Sequence, residues 1–309
     1  MKNFLLAAAI LSLGLGVLYP PFSVGSEPIH GVVSIFPLAD LTRQVGKEQV
    51  LVKTFLPPGA SPHVFEPTPR QMTEIADARL FIKIGAGLEF WADRLWKAGA
   101  GKKQVVLDLS EGMPLLYGTH LHIHEGQGKG DAKGMASHES PDPHYWLDPI
   151  LAKRMVERIA QTLAEVDPAN GRRYAQNAER YKQELDRFHE EIVQRVQGFK
   201  TREYVSFHPG WRYFSKRYEL KVIGVIEEAS GREPSPKDIA RIVKELKKVR
   251  APVVFAEPQF NPKIAEAIAQ ESGARVLFLD PIGDPNSPDK NSYLKLMRYN
   301  LAQMAKAMK

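Results

Sequence analysis

Histidine and carboxylate side chains stand next to several β-rich segments of this 309-residue chain. His63 lies in FLPPGASPHVFEPTP, and His208 ends the run YVSFH. Asp280 follows RVLFL, and His144 lies in DPHYWLDP, just before a predicted helix. Three imidazoles and one carboxylate form a four-coordinate N3O ligand set of the kind that binds zinc. These residues predict a zinc site whose fourth ligand is Asp280, Glu257, which ends the run VVFAE, or a water molecule.

Proline neighbours distinguish these histidines from ordinary loop histidines, which are more often surface residues than ligands. His63, His144 and His208 each adjoin a proline at a predicted junction between a strand and a helix. A rigid backbone at such a junction can hold a side chain in the geometry that a metal requires. His30 and His189 lack this context, and we interpret them as structural or solvent-facing.

A second group of histidines lies in a segment rich in Gly, Lys and Asp, at about residues 118–139. The segment has no apolar face to bury, so it is not expected to form part of a core. It predicts an auxiliary, weaker metal site, and the alternative is an exposed polar insertion without function. The candidate ligands of this auxiliary site are His120, His122, His124 and His138.

The elements that must position these residues alternate along the chain. Short β-rich runs are separated by helical patterns, which is typical of parallel sheets with helices on their faces. In such sheets, ligands bind beyond the carboxyl ends of the strands, where the candidate ligands stand. The predicted strands are residues 32–36, 50–56, 80–84 and 105–109, followed by 204–207, 222–226, 253–256 and 276–279.

One long amphipathic helix is predicted over residues 167–199, between the two groups of strands. Its apolar residues recur at steps of three and four, and neither Gly nor Pro interrupts it between Arg172 and Gln197. A coiled coil is the alternative explanation of this stripe. We therefore predict an α/β protein of two lobes, residues 27–166 and 200–309, each a mostly parallel sheet flanked by helices, joined by one long rigid backbone helix.

The amino terminus predicts export. Residues 1–26 place Lys2 before an apolar run and then small residues, as in a secretory signal peptide. A transmembrane anchor is the alternative, but the apolar run is short for a span of about 20 residues. The chain contains no cysteine, so it has neither disulfides nor a lipid-attachment cysteine. We expect a free periplasmic protein.

The charge pattern argues against a nucleic-acid partner. The formal net charge is +6, and removing Lys2 with the signal peptide leaves 6 − 1 = +5. Lysine and arginine are interspersed with glutamate and aspartate, which indicates a solvated surface rather than a basic binding face. We expect a monomer that does not insert into a membrane once the signal peptide is removed.

An enzyme must be considered, because three histidines with a water also describe catalytic zinc. The helical motif H-E-x-x-H is absent, since none of the His-Glu pairs at 124, 138 and 189 has a second histidine at the required spacing. No nucleophile elbow or phosphate-binding glycine loop occurs either. The sequence thus favours a binding protein over an enzyme.

Several motifs together resemble one known family, the metal-binding lipoprotein and ZnuA-type proteins that serve as solute-binding components of zinc and manganese ABC importers. The similarity runs from about Gly31 to the carboxyl terminus. It rests on PGASPHVFEPTPRQM, GLEFWADRL, DPHYWLDP, FHPGWRYF, EEASGREPSPKDI, VFAEPQF and LFLDPIG.

The resemblance implies two α/β lobes joined by a long helix, with one metal between them. By motif, the family's ligands fall on His63, His144, His208 and Asp280. Manganese-handling members tend to have glutamate where His208 stands, so histidine favours Zn(II). The implied function is periplasmic, high-affinity zinc binding for delivery to an ABC permease. The alternatives are a manganese-binding importer component, and an extracellular zinc buffer or adhesin without transport.

Overall fold

The computed structural model describes residues 27–92, 104–118, 140–227 and 232–309. The predicted signal peptide, residues 1–26, lies outside these ranges, and so do the histidines of the predicted auxiliary site, His120, His122, His124 and His138. Within the described ranges, none of the helices combines the length and the apolarity that a membrane span needs.

The strands form two separate four-stranded parallel sheets, one from each half of the chain. The first sheet has the order β2-β1-β3-β4 and the second the order β6-β5-β7-β8. This confirms the predicted class of two parallel-sheet domains flanked by helices. The strands are β1 (Ile29–Val33), β2 (Val50–Thr54), β3 (Leu80–Lys83), β4 (Val105–Asp108), β5 (Glu203–Ser206), β6 (Lys221–Val225), β7 (Val253–Ala256) and β8 (Arg275–Phe278).

Helices connect the strands, and several begin at the capping residue and proline that the sequence shows. Thr68 and Ser235 each form a capping box, and the Asp148 carboxylate accepts a hydrogen bond from the backbone N–H of Ile150. The helices used below are α1 (Phe36–Gly46), α2 (Pro69–Asp77), α3 (Pro149–Val166), α4 (Gly171–Gln197), α5 (Arg212–Tyr218), α6 (Pro236–Leu246), α7 (Lys263–Ser272) and α8 (Tyr293–Met308).

The first strand differs from its predicted bounds. We predicted residues 32–36, whereas β1 spans Ile29–Val33 and α1 begins at Phe36. Pro37 stands in the first turn of α1, where its fixed φ suits a helix and its missing N–H costs nothing. The apolar residues just before Pro37 therefore lead into a helix instead of extending the strand.

The long helix between the sheets is α4, which has 27 residues and is about 40 Å long at a rise of about 1.5 Å per residue. A 3-10 turn, Pro168–Asn170, precedes it within the predicted segment 167–199. The predicted apolar stripe is buried along its whole length, because α4 packs against α1, α3 and α8. The stripe consists of Tyr174, Ala178, Tyr181, Leu185, Phe188, Ile192, Val196 and Phe199.

Buried hydrogen bonds join the two halves of the molecule directly. The Trp146 indole Nε1 donates to the carbonyl of Pro281 at 2.8 Å, and the Tyr293 hydroxyl donates to the carbonyl of Trp146 at 2.7 Å. The backbone N–H of Tyr293 donates to the Asp40 carboxylate at 2.9 Å. Both aromatic side chains are fully buried, so these bonds fix the segment around residue 146 against the loop that follows β8.

Candidate metal centre

The ends of the central strands place two candidate residues at the same edge of the second sheet. Its strand order reverses between β5 and β7, so a crevice forms beyond their carboxyl ends. His208 follows β5 after one intervening residue, and Glu257 comes directly after β7. The two side chains are in contact there, with His208 Nδ1 at 2.7 Å from Glu257 Oε1.

His63 comes from the long connection between β2 and α2 in the first half. Pro57 and Ala60 close a turn by a backbone hydrogen bond of 3.2 Å, and Gly59 has φ +78, a conformation that favours glycine. Pro62 further restricts the backbone immediately before His63. The proline-rich connection thus carries the half-buried His63 side chain to the crevice on a constrained backbone.

His144 begins a 3-10 turn, His144–Leu147, that leads into α3. The Asp142 Oδ1 atom accepts two hydrogen bonds from this residue, one from its backbone N–H at 3.0 Å and one from its ring Nδ1 at 2.8 Å. Because Nδ1 donates its proton to the carboxylate, the Nε2 atom of His144 carries a free lone pair. Asp142 therefore sets both the tautomer and the orientation of His144.

His208 is oriented in the same way by a second carboxylate. Its Nδ1 donates to Glu257, which leaves Nε2 as the free ligand atom. Gly210 packs directly under this ring, since a Cβ atom there would lie 2.7 Å from both Cε1 and Nε2 of His208. It would also lie 3.3 Å from Cδ2 of His144. Glycine is required at this position so that the two rings can approach each other.

The three imidazoles converge through their Nε2 atoms. Nε2 of His144 lies 2.9 Å from that of His63 and 3.1 Å from that of His208. Two zinc–nitrogen bonds of about 2.0–2.1 Å at a tetrahedral angle separate their nitrogens by about 3.3 Å. Within the described ranges, these residues are the one group of three or more potential metal ligands with donor atoms within 4.8 Å of one another.

The electrostatics of the cluster favour the neutral form of two of its three imidazoles, and the neutral form is the one that can bind a metal. Burial lowers the pKa of His63 well below its ordinary value, and charge on His144 or His208 would lower it further. Burial also lowers the pKa of His144, and its hydrogen bond to Asp142 offsets only part of that effect. Burial opposes protonation of His208 as well, but the adjacent charge of Glu257 raises its pKa overall.

The Asp142 carboxylate stays ionised in this setting. Burial raises its pKa, but the hydrogen bonds and the charge of His144 lower it by more, and Arg212 contributes in the same direction. A buried anionic carboxylate behind a ligating imidazole increases the basicity of the ring. Asp142 and Glu257 thus supply negative charge behind two of the three converging nitrogens.

A small cavity adjoins the histidines, and two buried oxygen atoms in its wall have no partner. Oε2 of Glu257 and Oε1 of Gln259 make no hydrogen bond to any described residue. Buried acceptors of this kind are usually satisfied by a water or an ion. The cavity is lined by Ser61, Pro62, His63, His144, Trp146, His208, Glu257, Gln259, Phe260, Pro281 and Ile282.

Asp280 is not brought together with the three histidines. Its oxygens do not join the group of ligand atoms within 4.8 Å, and it does not line the cavity, although the next two residues do. Its Oδ2 accepts a hydrogen bond from Nζ of Lys290 at 2.7 Å. Its Oδ1 accepts from Gln259 and from two backbone N–H groups. The carboxylate predicted as the fourth ligand is thus held by other donors.

Sequence reasoning missed the orienting carboxylate of His144 and the need for glycine beside His208. Asp142 had a local signal, because a carboxylate two residues before a histidine can bond both its backbone and its ring. The sequence suggests Glu257 as an alternative metal ligand, whereas its carboxylate accepts a hydrogen bond from the ring nitrogen of His208 that faces away from the converging atoms. Gly210 had no signal beyond its place after a proline.

Comparisons with known proteins match most of this chain to one family. The model of the family described as zinc-uptake complex component A, periplasmic, matches residues 32–307. The high-affinity zinc uptake system protein ZnuA of Bacillus subtilis is 27% identical over 278 residues, which cover 89% of this chain and 86% of that protein.

Two further relatives show the range of metals in these proteins. The manganese-binding lipoprotein MntA of Halalkalibacterium halodurans is 28% identical over 302 residues, covering 96% of this chain and 94% of the relative. A crystal structure of a protein named ZnuA superposes with a TM-score of 0.79 at 31% identity, covering 92% of this chain and all of that one. The similarity therefore extends over both sheets and the long helix.

Proposed function

This chain belongs to the family of periplasmic zinc-uptake complex component A, and we propose that it binds Zn(II) with high affinity and delivers it to the permease of an ABC importer. The observation that carries the proposal is the convergence of the Nε2 atoms of His63, His144 and His208. Each ligand comes from a different connection of the fold, so the site forms only when both halves have folded and packed together.

The donor set supports zinc over manganese as the cargo. Imidazole nitrogen is a borderline donor that suits zinc, whereas manganese prefers carboxylate, carbonyl and water oxygens. All three converging atoms are nitrogens, and two of them are backed by anionic carboxylates. The relatives include both zinc uptake proteins and a manganese-binding lipoprotein. The identity of the metal is therefore inferred from the ligands of this chain.

The proposed activity is the capture and release of the metal ion, without chemical conversion of a substrate. Asp142 and Glu257 accept hydrogen bonds from His144 and His208 and so orient these imidazoles. Such an arrangement supports stable binding of a cation. The protein would act as a monomer in the periplasm after export. The partner would be the membrane permease that receives the metal, and no nucleic acid is involved.

An auxiliary, weaker zinc site is proposed for the segment at about residues 118–139. Its basis is the sequence alone, four histidines among glycines and charged residues. Deletion of residues 119–137 should lower the total zinc stoichiometry while one tight site remains. Loss of tight binding in that deletion would show that the tight site requires this segment.

Titration of the metal-free protein with Zn(II) and Mn(II) in competition, under anaerobic conditions, tests the proposed function. We expect one tight zinc site that manganese does not displace at equal concentration. Separate substitutions of His63, His144 and His208 by alanine should each weaken zinc binding severely, whereas His189→Ala, outside the cluster, should not. Retention of wild-type zinc affinity in all three variants would overturn the proposal.

A further inference from the structure

Asp280 is held more tightly than a free metal ligand would be. The residue is 2% exposed, and its backbone N–H and carbonyl are both hydrogen-bonded to the side chain of Asn300, at 2.8 and 2.7 Å. Its Oδ1 accepts from Gln259 Nε2 at 3.1 Å and from the backbone N–H groups of Ile282 and Gly283 at 3.0 and 2.8 Å. These four groups hold the backbone and Oδ1 of Asp280, which leaves Oδ2 as the carboxylate oxygen that a cation can bind.

The Lys290 ammonium donates a hydrogen bond to the second oxygen, Oδ2. Its Nζ lies 2.7 Å from Oδ2 of Asp280, and the lysine side chain is only 19% exposed. The Nζ atom also lies 5.4 Å from the ring centre of Tyr299, and the backbone N–H of Lys290 donates to the carbonyl of Ser287 at 3.0 Å. The ammonium is therefore positioned by its surroundings and does not simply extend into solvent.

The Asp280–Lys290 pair lies behind the wall of the cavity that adjoins the three histidines. Pro281 and Ile282, the two residues that follow Asp280, line the cavity, and so does Gln259, which donates to Asp280. The Oδ2 atom of Asp280 would have to leave the Lys290 ammonium before it could bind a metal in this cavity. An ammonium and a metal ion would compete for this buried oxygen, since each needs the same lone pairs.

We propose that Lys290 is a metal-selectivity residue, which keeps the Asp280 carboxylate out of the metal's coordination sphere and thereby favours zinc over manganese. The inference rests on the proposed function and names a determinant of its specificity. A carboxylate in the first coordination sphere adds a charged oxygen donor, which benefits manganese more than zinc. By retaining that oxygen, Lys290 leaves a site dominated by three nitrogens.

Lys290→Met removes the ammonium and keeps a side chain of similar length, so it frees Oδ2 of Asp280. We expect the ratio of the zinc to the manganese affinity to fall by at least about tenfold, because the metal gains an anionic oxygen ligand. The ratio is measured by competitive titration of the metal-free protein with Zn(II) and Mn(II). The visible absorption of the Co(II)-loaded protein should change as well, since it reports the ligand set.

Three matched variants separate this effect from general damage or loss of charge. Lys290→Arg keeps a cation for Asp280 and should retain the wild-type ratio. Lys295→Met removes a positive charge from the same segment, but its Nζ bonds Pro288 and Asn291 and not Asp280, so the ratio should not change. The double variant with Lys290→Met and Asp280→Asn should return to the wild-type ratio, because the freed carboxylate is gone.

Two results would overturn the proposal. One is an unchanged ratio in folded Lys290→Met, and the other is a changed ratio that persists in the double variant. Severe loss of zinc affinity in Asp280→Asn alone would also contradict it, because that carboxylate would then already bind the metal. A different result would contradict the proposed function itself, namely a wild-type chain without a tight zinc site that depends on the three histidines.

Discussion

Replacing Glu257 by glutamine tests how the carboxylates behind the histidines contribute to metal binding. Glu257 is 1% exposed, and its Oε1 accepts the hydrogen bond of His208 Nδ1 at 2.7 Å. Glutamine has the same shape and keeps an oxygen that can accept this bond, but it carries no charge. The substitution therefore removes the electrostatic effect on His208 while the orientation of the ring is preserved.

The expected loss in zinc affinity is about 10- to 100-fold, which corresponds to about 1.4–2.7 kcal/mol. The loss arises because His208 becomes a weaker base and binds the metal less strongly. The Glu257 charge also raises the pKa of His208, so the proton competes with zinc already above the ordinary histidine pKa of about 6.5. In the variant that pKa falls, and proton competition should begin at a lower pH.

Zinc affinity is measured by competition with a chromophoric chelator between about pH 5 and pH 8. Two changes are expected together, a lower affinity at the alkaline end and a shift of the pH midpoint toward acid. Simple misfolding would lower the affinity without that acid shift. The control is Glu89→Gln, because Glu89 is also buried but bonds the backbone N–H groups of Ile84 and Gly85. Wild-type affinity across the range in Glu257→Gln, or equal behaviour of the control, would refute the reasoning.

Three other predictions concern the same site. Asp142→Asn should weaken zinc binding about 10- to 100-fold, since Asp142 holds both the backbone and the ring of His144, and undiminished affinity in a chelator competition would contradict this. Gly210→Ala should lower zinc affinity, because its Cβ would lie 2.7 Å from Nε2 of His208, whereas Gly198→Ala, with its nearest contact at 3.6 Å, should bind zinc normally in the same titration. Free zinc at about 100 times Kd should stabilise the protein by about 2.7 kcal/mol in thermal unfolding, and an unchanged melting temperature would exclude tight binding to the native state.

The sequence predicted the parts of the fold that depend on local patterns. The alternation of β-rich and helical segments predicted two parallel sheets, which the structure contains. The apolar stripe from Tyr174 to Phe199 predicted a long helix, and the structure buries that stripe. The first strand was misplaced because the apolar run before Pro37 resembles a strand, although the proline starts a helix. Such local ambiguity is resolved by packing that a linear pattern does not show.

For the site, the rule that ligands stand beyond strand ends predicted that His63, His144 and His208 lie near one another, and the structure places one ligand atom of each within 4.8 Å of the others. The same rule selected Asp280, which does follow β8 but is paired with Lys290. That pairing could not be read from the sequence, because Lys290 lies in an irregular segment whose path depends on the tertiary structure. Position along a strand predicts which edge a side chain reaches, while its neighbours determine whether it is free to bind.

The most direct measurement of the central claim is a crystal structure of the zinc-loaded protein, with anomalous data collected at the zinc absorption edge. We predict one strong anomalous peak bonded to Nε2 of His63, His144 and His208 at about 2.0–2.1 Å, with Asp280 still paired to Lys290. A principal peak bonded elsewhere in the chain, or to fewer than three of these imidazoles, would contradict the account.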